Sequence, residues 1–501
     1  MLKGTGTVVT QLEPNIFTLI VVIVFIGISI GLGIYAARKA KTAEQYFGGT
    51  KSFGPIIIAL GSAAAIMSAF GFIGGPGYVY KFGFTSIWIT FAAGIAFPFG
   101  YWIIGKRLRA MAEVANIATL PDIARIRFQS ETVRGVLAVG ILIAAIPYLS
   151  SQIKGGAKLI NELLGVNEHT ALIILASVLL FYTMISGMAG SIITSAFQGF
   201  TMLVGVLGVI IGYFILTKGE AMTVIQNSQH FGVKYVDGMG ILAMGHLVAF
   251  FIVFFVGMLG QPAMISKMYA VKNPKDLRNA GIMSGLTYAV ASLVWFLVGY
   301  GALYITAKSG AAPLASPDKA AFLFLSKMHV VIQALVMAAL LAAIMSTASF
   351  FISLGTGAIT RDLMISIGNE ISQDRQIYWG RILTILMVLL SIAFAYIGGK
   401  MIATLGAIGW GFFASVTLPT IVLGLLWKKT SEEGVISGIV VAIIINIGFV
   451  LLDISKLYKP PFPSYVVSMA ASMAITIFVS FFTSTASGEN LPEEIKPIFK
   501  L

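Results

Sequence analysis

Gly71-Phe72-Ile73-Gly74-Gly75-Pro76 closes one long apolar segment of this chain, and Gly257-Met258-Leu259-Gly260-Gln261-Pro262 closes another. Both read G-x-x-G-x-P. Gly-Pro clusters commonly end helices, but interruptions at corresponding places in two halves of a membrane protein mark a binding site. The second cluster follows the first by five apolar segments. Five is odd, so the two helices cross in opposite directions, as an inverted-topology repeat requires.

The segments themselves set the class. Of 501 residues, 58% are hydrophobic and 11% charged, and the mean hydropathy is +0.94; soluble domains hold about 45–50% apolar residues. Runs of roughly 20 apolar residues fall near 16–36, 54–79, 84–104, 134–156, 169–186, 190–217, 241–261, 279–306, 329–357, 379–397, 403–427, 434–453 and 464–484. That pattern predicts an all-α polytopic membrane protein of about thirteen spans, one domain over 1–501. On the repeat reading, spans 2 to 6 and 7 to 11 form a five-plus-five core, with repeats at about 54–217 and 241–427. One helix precedes the core and two follow it.

Thirteen spans put the termini on opposite sides. With the N-terminus outside and the C-terminus inside, 21 of the 33 Lys and Arg, Lys267, Lys41 and Lys51 among them, face the cytoplasm, and the richest loop, 105–134, lies there too. The positive-inside rule selects that orientation in the cytoplasmic membrane. The net charge of +13 then reads as a basic inner surface against anionic lipid, with no nucleic acid required. The absence of Cys excludes disulfides and thiol chemistry. The first apolar segment follows Glu13 without a basic n-region or cleavage site, so it reads as a retained span; the polar tail after Ser484 is expected to fray.

The 20 acidic residues all fall in predicted loops, tails or span ends, which argues against a carboxylate relay and against an enzyme active site. His246 reads as a packed histidine. Hydroxyls and carbonyls remain. Ala64-Ala65-Ile66-Met67-Ser68 recurs letter for letter at Ala342-Ala343-Ile344-Met345-Ser346, which Thr347 follows. Small residues let helices approach closely, and unwound backbone beside two hydroxyls supplies the neutral oxygen cage suited to a hard, weakly charged cation. Ser and Thr in membrane helices also bond their own backbone, so these residues alone leave both readings open.

The ordered motifs from Ser29 to Ser437 resemble the sodium:solute symporter family. They are Gly54-Pro55 through Met67-Ser68 to Gly77; Thr119-Leu120-Pro121-Asp122 with Arg127-Phe128; Gly155-Gly156-Ala157-Lys158; Tyr182-Thr183 before Gly187; and Gly260-Gln261-Pro262. Ala342 to Thr347, Ile359-Thr360-Arg361-Asp362-Leu363, and Pro419 with Gly424-Leu425-Leu426-Trp427-Lys428-Lys429 and Gly434 complete the series. The likeness leans to the sodium/proline and sodium/pantothenate branches and implies a LeuT-like core. It implies a sodium site made by the carbonyls of Ala64, Met67 and Ala343 and the hydroxyls of Ser346 and Thr347. Ile66 and Ser195 stand where many members carry Asp, so a single coupling ion is expected.

The resemblance also implies a midplane solute site facing Ser68, Gly71, Phe72, Phe254, Met258, Gln261 and Trp410, with Tyr148 contributed by the fourth span. Pro147, Ser150, Ser151 and Lys154 share one helical face. Lys154 therefore either meets a solute carboxylate or snorkels to the interface. The function expected is Na⁺-coupled import of a small organic solute such as proline or pantothenate, with membrane lipid as surroundings and no organic cofactor or obligate protein partner. A Na⁺-independent facilitator of the same fold and a solute-sensing receptor are the rivals; a channel would need a continuous polar pore lining.

Overall fold

A computed structural model describes residues 12–39, 53–369, 372–397, 401–455, 463–483 and 495–500. Lys41 and Lys51, counted above among the inner charges, lie outside the described residues. The fold is built from α1 (Ile16–Lys39), α2 (Pro55–Ile66), α3 (Gly75–Phe82), α4 (Ile87–Gly100), α5 (Leu120–Phe128), α6 (Glu131–Leu164) and α7 (Glu168–Thr217). After these come α8 (Met244–Leu259), α9 (Pro262–Ala270), α10 (Leu277–Ser309), α11 (Val330–Gly357), α12 (Gln373–Ile397), α13 (Ile402–Thr417), α14 (Glu432–Ser455) and α15 (Ser464–Thr483). Every predicted apolar segment is helical. Among the described residues, eleven helical stretches are long and apolar enough to cross a membrane, and Pro55–Ile66 and Glu168–Met184 are shorter apolar helices. Exposed side chains such as Ile16, Trp102, Ile215 and Phe482 are apolar, as lipid contact demands.

α7 is not one rod. Fifty residues in a straight helix would span about 75 Å, yet the Tyr182 hydroxyl donates to Thr194 Oγ1 at 2.7 Å and Gln198 Nε2 reaches the same hydroxyl at 3.4 Å. Partners 12 and 16 residues apart meet only if the helix folds back on itself, which divides it into the fifth and sixth predicted spans.

Around the centre stand α2 with α3, α8 with α9, α6, α11 and α13. α11 packs along α7, α6 and α2, while α14 and α15 pair beside α13. Polar glue fixes that last contact: Asn446 Nδ2 donates to Ser468 Oγ at 2.5 Å, and Ser472 Oγ donates to the Ser415 carbonyl at 2.5 Å.

The two ends of α6 carry the charged staples. At its N-terminus Arg134 reaches Asp122 at 2.7 Å and Asp362 at 3.2 Å, and Arg361 pairs with Asp122 at 2.6 Å. Thr119 Oγ1 donates to Asp362 at 2.8 Å, and the amides of Ala118 and Thr119 donate to Asp122. Nearby, Arg127 donates to the carbonyls of Gly424 and Lys428 at 2.6 and 3.1 Å; burial pushes its guanidinium down to about 10, so it stays charged at neutral pH. Arg109 joins the carbonyls of Val271 and Lys272. At the other end of α6, Lys158 pairs with Asp318 at 3.2 Å, and the same carboxylate accepts from the Ile402 amide at 3.2 Å.

Arg109, Arg127, Arg134 and Lys267, counted above among the inner charges, are buried; the three arginines touch helix-end carbonyls or carboxylates and are satisfied without water. One expectation is corrected here. The end of the tail does not fray: Ile495 and Ile498 are buried and the Phe499 ring lies 5.1 Å from the Arg127 guanidinium. Three apolar side chains at close spacing in an otherwise polar tail account for it.

Removing the cation at the centre of the α6 cluster leaves Arg361 to balance two buried carboxylates alone. Arg134→Met is therefore expected to cost about 3–5 kcal/mol, read as a marked fall of the thermal unfolding midpoint in detergent. Arg125→Ala, which breaks an exposed pair with Glu131, should shift stability by no more than about 0.5 kcal/mol.

Candidate functional site

α2 stops at Ile66 because Met67 turns extended, with φ −71° and ψ 109°. Helical backbone resumes at Ala69, passes through a π-helical turn at Phe70–Gly74 and continues as α3. The break thus lies at Met67–Ser68, upstream of Gly71-x-x-Gly74-x-Pro76, whose glycines form the wide turn and whose Pro76 enters the first turn of α3. In the second copy the motif does contain the break: α8 ends at Leu259, and Pro262 opens α9. The two interrupted helices touch, with Phe70 stacked on Phe254 at 5.9 Å.

A break inside a membrane exposes carbonyls at one helix end and amides at the other. Both sets are met. The Ser346 hydroxyl donates to the Ala64 carbonyl at 2.8 Å and to the Ala343 carbonyl at 3.1 Å. Thr347 Oγ1 lies 3.3 Å from the Ala65 carbonyl and 3.5 Å from that of Ala64. On the far side, the Ala69 amide donates to Gln152 Oε1 at 2.9 Å and the Phe70 amide to Ser68 Oγ at 3.1 Å. Close approach is needed on the other flank of α2, where a side chain at Gly199 would come within 2.5 Å of the Leu60 carbonyl.

Four oxygens, from Ala64, Ala343, Ser346 and Thr347, therefore converge from α2 and α11, and Met67 stands at the break itself. All these residues are buried. Among the described residues no group of three His, Cys, Asp or Glu could hold a metal, so a cation bound here meets neutral oxygens. The geometry fits. A hydroxyl that donates to a carbonyl in one state can rotate its hydrogen away and offer lone pairs to an ion in another.

The solute positions divide. Ser68, Gly71, Tyr148, Phe254, Gln261 and Trp410 come together around the two breaks. Tyr148 reaches Ser68, and Phe254 packs on Trp410 at 5.3 Å. Gln261 Nε2 donates to the Trp410 carbonyl at 3.0 Å and to the Gly257 carbonyl at 3.1 Å, while Thr417 Oγ1 donates to the Gly260 carbonyl. Phe72 and Met258 are buried nearby. Ile66 ends α2, and Ser195 is buried in α7.

Lys154 is not brought to this place. The face of α6 that meets the first break carries Tyr148, Gln152 and Gly155, and a side chain at Gly155 would come within 2.6 Å of Ala69 Cβ. At 100° per residue Lys154 points about a third of a turn away, toward the charges of Lys158, Asp318 and Glu168. Its neighbour Lys158 is ion-paired with Asp318.

Two residues were missed. Gln152 caps the resumed helix, and its signal in the sequence is an amide one turn beyond Tyr148 in an apolar span. Trp295 packs edge-on to Phe70 at 5.0 Å, and its buried Nε1 has no hydrogen-bond partner; nothing in its surrounding sequence singles it out.

The model of the sodium:solute symporter family matches residues 46–442. The chain is 27% identical over 474 residues to the sodium/pantothenate symporter of Escherichia coli (strain K12), covering 90% of this chain and 94% of that relative. It is 27% identical over 499 residues to sodium/proline symporter 2 of Staphylococcus saprophyticus, covering 96% of each. A Na⁺-coupled sialic acid symporter, solved substrate-bound and outward-open, superposes with a TM-score of 0.76 over 93% of this chain and 98% of that one, at 15% identity. The last likeness shows the LeuT-like fold expected above.

Gln152→Leu leaves the Ala69 amide unpaired at the break, a loss of about 1–3 kcal/mol. The midpoint of thermal unfolding should fall accordingly, and Gln152→Glu, which restores an acceptor, should recover part of it.

Proposed function

The chain belongs to the sodium:solute symporter family, and from that premise we propose that Na⁺ bound between α2 and α11 drives import of a small organic solute such as proline or pantothenate. The protein is a multi-pass membrane transporter and not an enzyme. The observation that carries the reading is the convergence of Ala64, Ala343, Ser346 and Thr347 oxygens within 3.5 Å of one another's partners. Met67 completes the proposed ligand set with its carbonyl at the break.

In the proposed cycle, extracellular Na⁺ takes over the carbonyls of Ala64 and Ala343 from the Ser346 and Thr347 hydroxyls, which turn their lone pairs inward. The ion thereby clamps the end of α2 against α11. Solute binds beside Ser68, Gly71, Tyr148 and Phe254, with Phe72, Met258, Gln261 and Trp410 closing the apolar wall. Each ligand tightens the other by the same factor. Rocking of the broken-helix bundle against the scaffold then opens the site inward. One ion per cycle is proposed, since Ile66 and Ser195 bring no carboxylate. The N-terminus is placed outside, the C-terminus inside, and the thirteen helical segments are each assigned a crossing.

Uptake of labelled proline and pantothenate into proteoliposomes should require an inward Na⁺ gradient, and K⁺ should not replace it. Indifference to Na⁺ would overturn the mechanism. Ser346→Ala with Thr347→Ala should abolish the stabilisation by Na⁺ seen in a thermal-shift assay, which at 100 times the dissociation constant amounts to about 2.7 kcal/mol.

A further inference from the structure

Lys267 lies in α9, on the turn that follows the second break, and is 1% exposed. Its Nζ sits 5.3 Å from the centroid of the Phe350 ring. Among the described residues no carboxylate pairs with it. A ring face returns about 0.5–2 kcal/mol, while burying an ion costs several kcal/mol. Lysine is almost never fully buried unpaired, and an ionisable residue inside a membrane protein marks a substrate path.

Its neighbours place it on such a path. Phe350 stands at i+4 from Ser346, so the ammonium lies about one helical turn beyond the oxygen cage. α9 packs against α2, and its N-terminus opens at the break with Pro262 in first position. That helix end presents a positive dipole toward the proposed solute site. Two positive features, the N-terminus of α9 and the Lys267 ammonium, thus lie on the same side of the break, and among the described residues no carboxylate stands within ion-pair distance of the ammonium.

We infer that Lys267 is the counter-charge for a carboxylate on the transported solute, which makes the substrate class a small organic monocarboxylate. The carboxylate passes from the N-terminus of α9 to the ammonium as the solute moves beyond the break. This rests on the symport reading. Lys154, held among Lys158, Asp318 and Glu168 on another face, has no part in it.

The test uses the full chain in proteoliposomes, with labelled L-proline and pantothenate, each beside its uncharged amide. Wild type should take up a carboxylate in preference to its amide. Lys267→Met should lower carboxylate uptake by about tenfold or more and erase the preference, and Lys267→Arg should retain it. The thermal shift caused by Na⁺ should survive in Lys267→Met, and its solute-free midpoint should hold or rise, because replacing a buried charge with an apolar side chain of similar size is often stabilising. Carboxylate uptake by Lys267→Met within about twofold of wild type, a wild type that takes up neutral solutes and no carboxylate, or a midpoint that falls together with the Na⁺ shift would each overturn the inference. Carboxylate uptake that depends on Lys267 and ignores the Na⁺ gradient would overturn the coupling mechanism alone.

Discussion

A helix broken inside a membrane survives only if its severed carbonyls and amides find partners within the protein, and the bonds from Ser346 and Thr347 to the end of α2 meet that demand. The rest of the centre is arranged to make those bonds possible. α11 supplies the hydroxyls, α6 supplies Gln152 to the opposite lip, and α7 approaches α2 closely enough that only glycine fits at Gly199. Three helices are thus held against one two-residue gap. On the proposed reading, an ion entering that gap replaces hydrogen bonds between oxygens that are already assembled.

Among the described residues the buried carboxylates, Asp122, Glu162, Asp318 and Asp362, gather at the two ends of α6. The motifs that carry the family resemblance turn out to be staples. Thr119 and Asp122 meet Arg361 and Asp362, and Arg127 meets the carbonyls after Gly424. At the other end Asp318 joins Lys158 to the start of α13. α6, α11 and α13 all border the breaks, and the staples tie the ends of these helices to one another. Removing one partner of such a buried pair strands the other charge away from water, which is strongly destabilising.

Hydropathy made the helices legible, and the resemblance identified Ala64, Ala343, Ser346 and Thr347 before their oxygens were seen to meet. The errors share a physical origin. The break was placed by its Gly and Pro, yet the chain leaves helical geometry at Met67, which no local propensity marks; the tertiary partners at Ser346 and Gln152 stabilise the break there. Lys154 was judged by one face of α6 without knowledge of which face meets the break, and Gln152 was overlooked for the same reason. Counting charges by topology places Lys267 on the inner side and says nothing of its burial, because it treats every Lys near a span end alike. The fold of α9 after Gln261 buries it.

Ile66 gives these corrections their mechanistic weight. At the end of α2 it is a buried apolar side chain at a position where many relatives, by the resemblance, carry a carboxylate. On the proposed reading the ion then competes only with hydroxyl-to-carbonyl hydrogen bonds, and its hold depends on how firmly α2 and α11 are pressed together. In the proposed mechanism, whatever brings the walls closer strengthens the cage, and solute bound across the two breaks would do so. Reciprocal coupling would then rest on one shared contact, and without a fixed negative charge the ion would leave once that contact opens. A neutral cage in a stapled frame would make Na⁺ affinity a property of the arrangement of the helices, as the proposed alternating access requires.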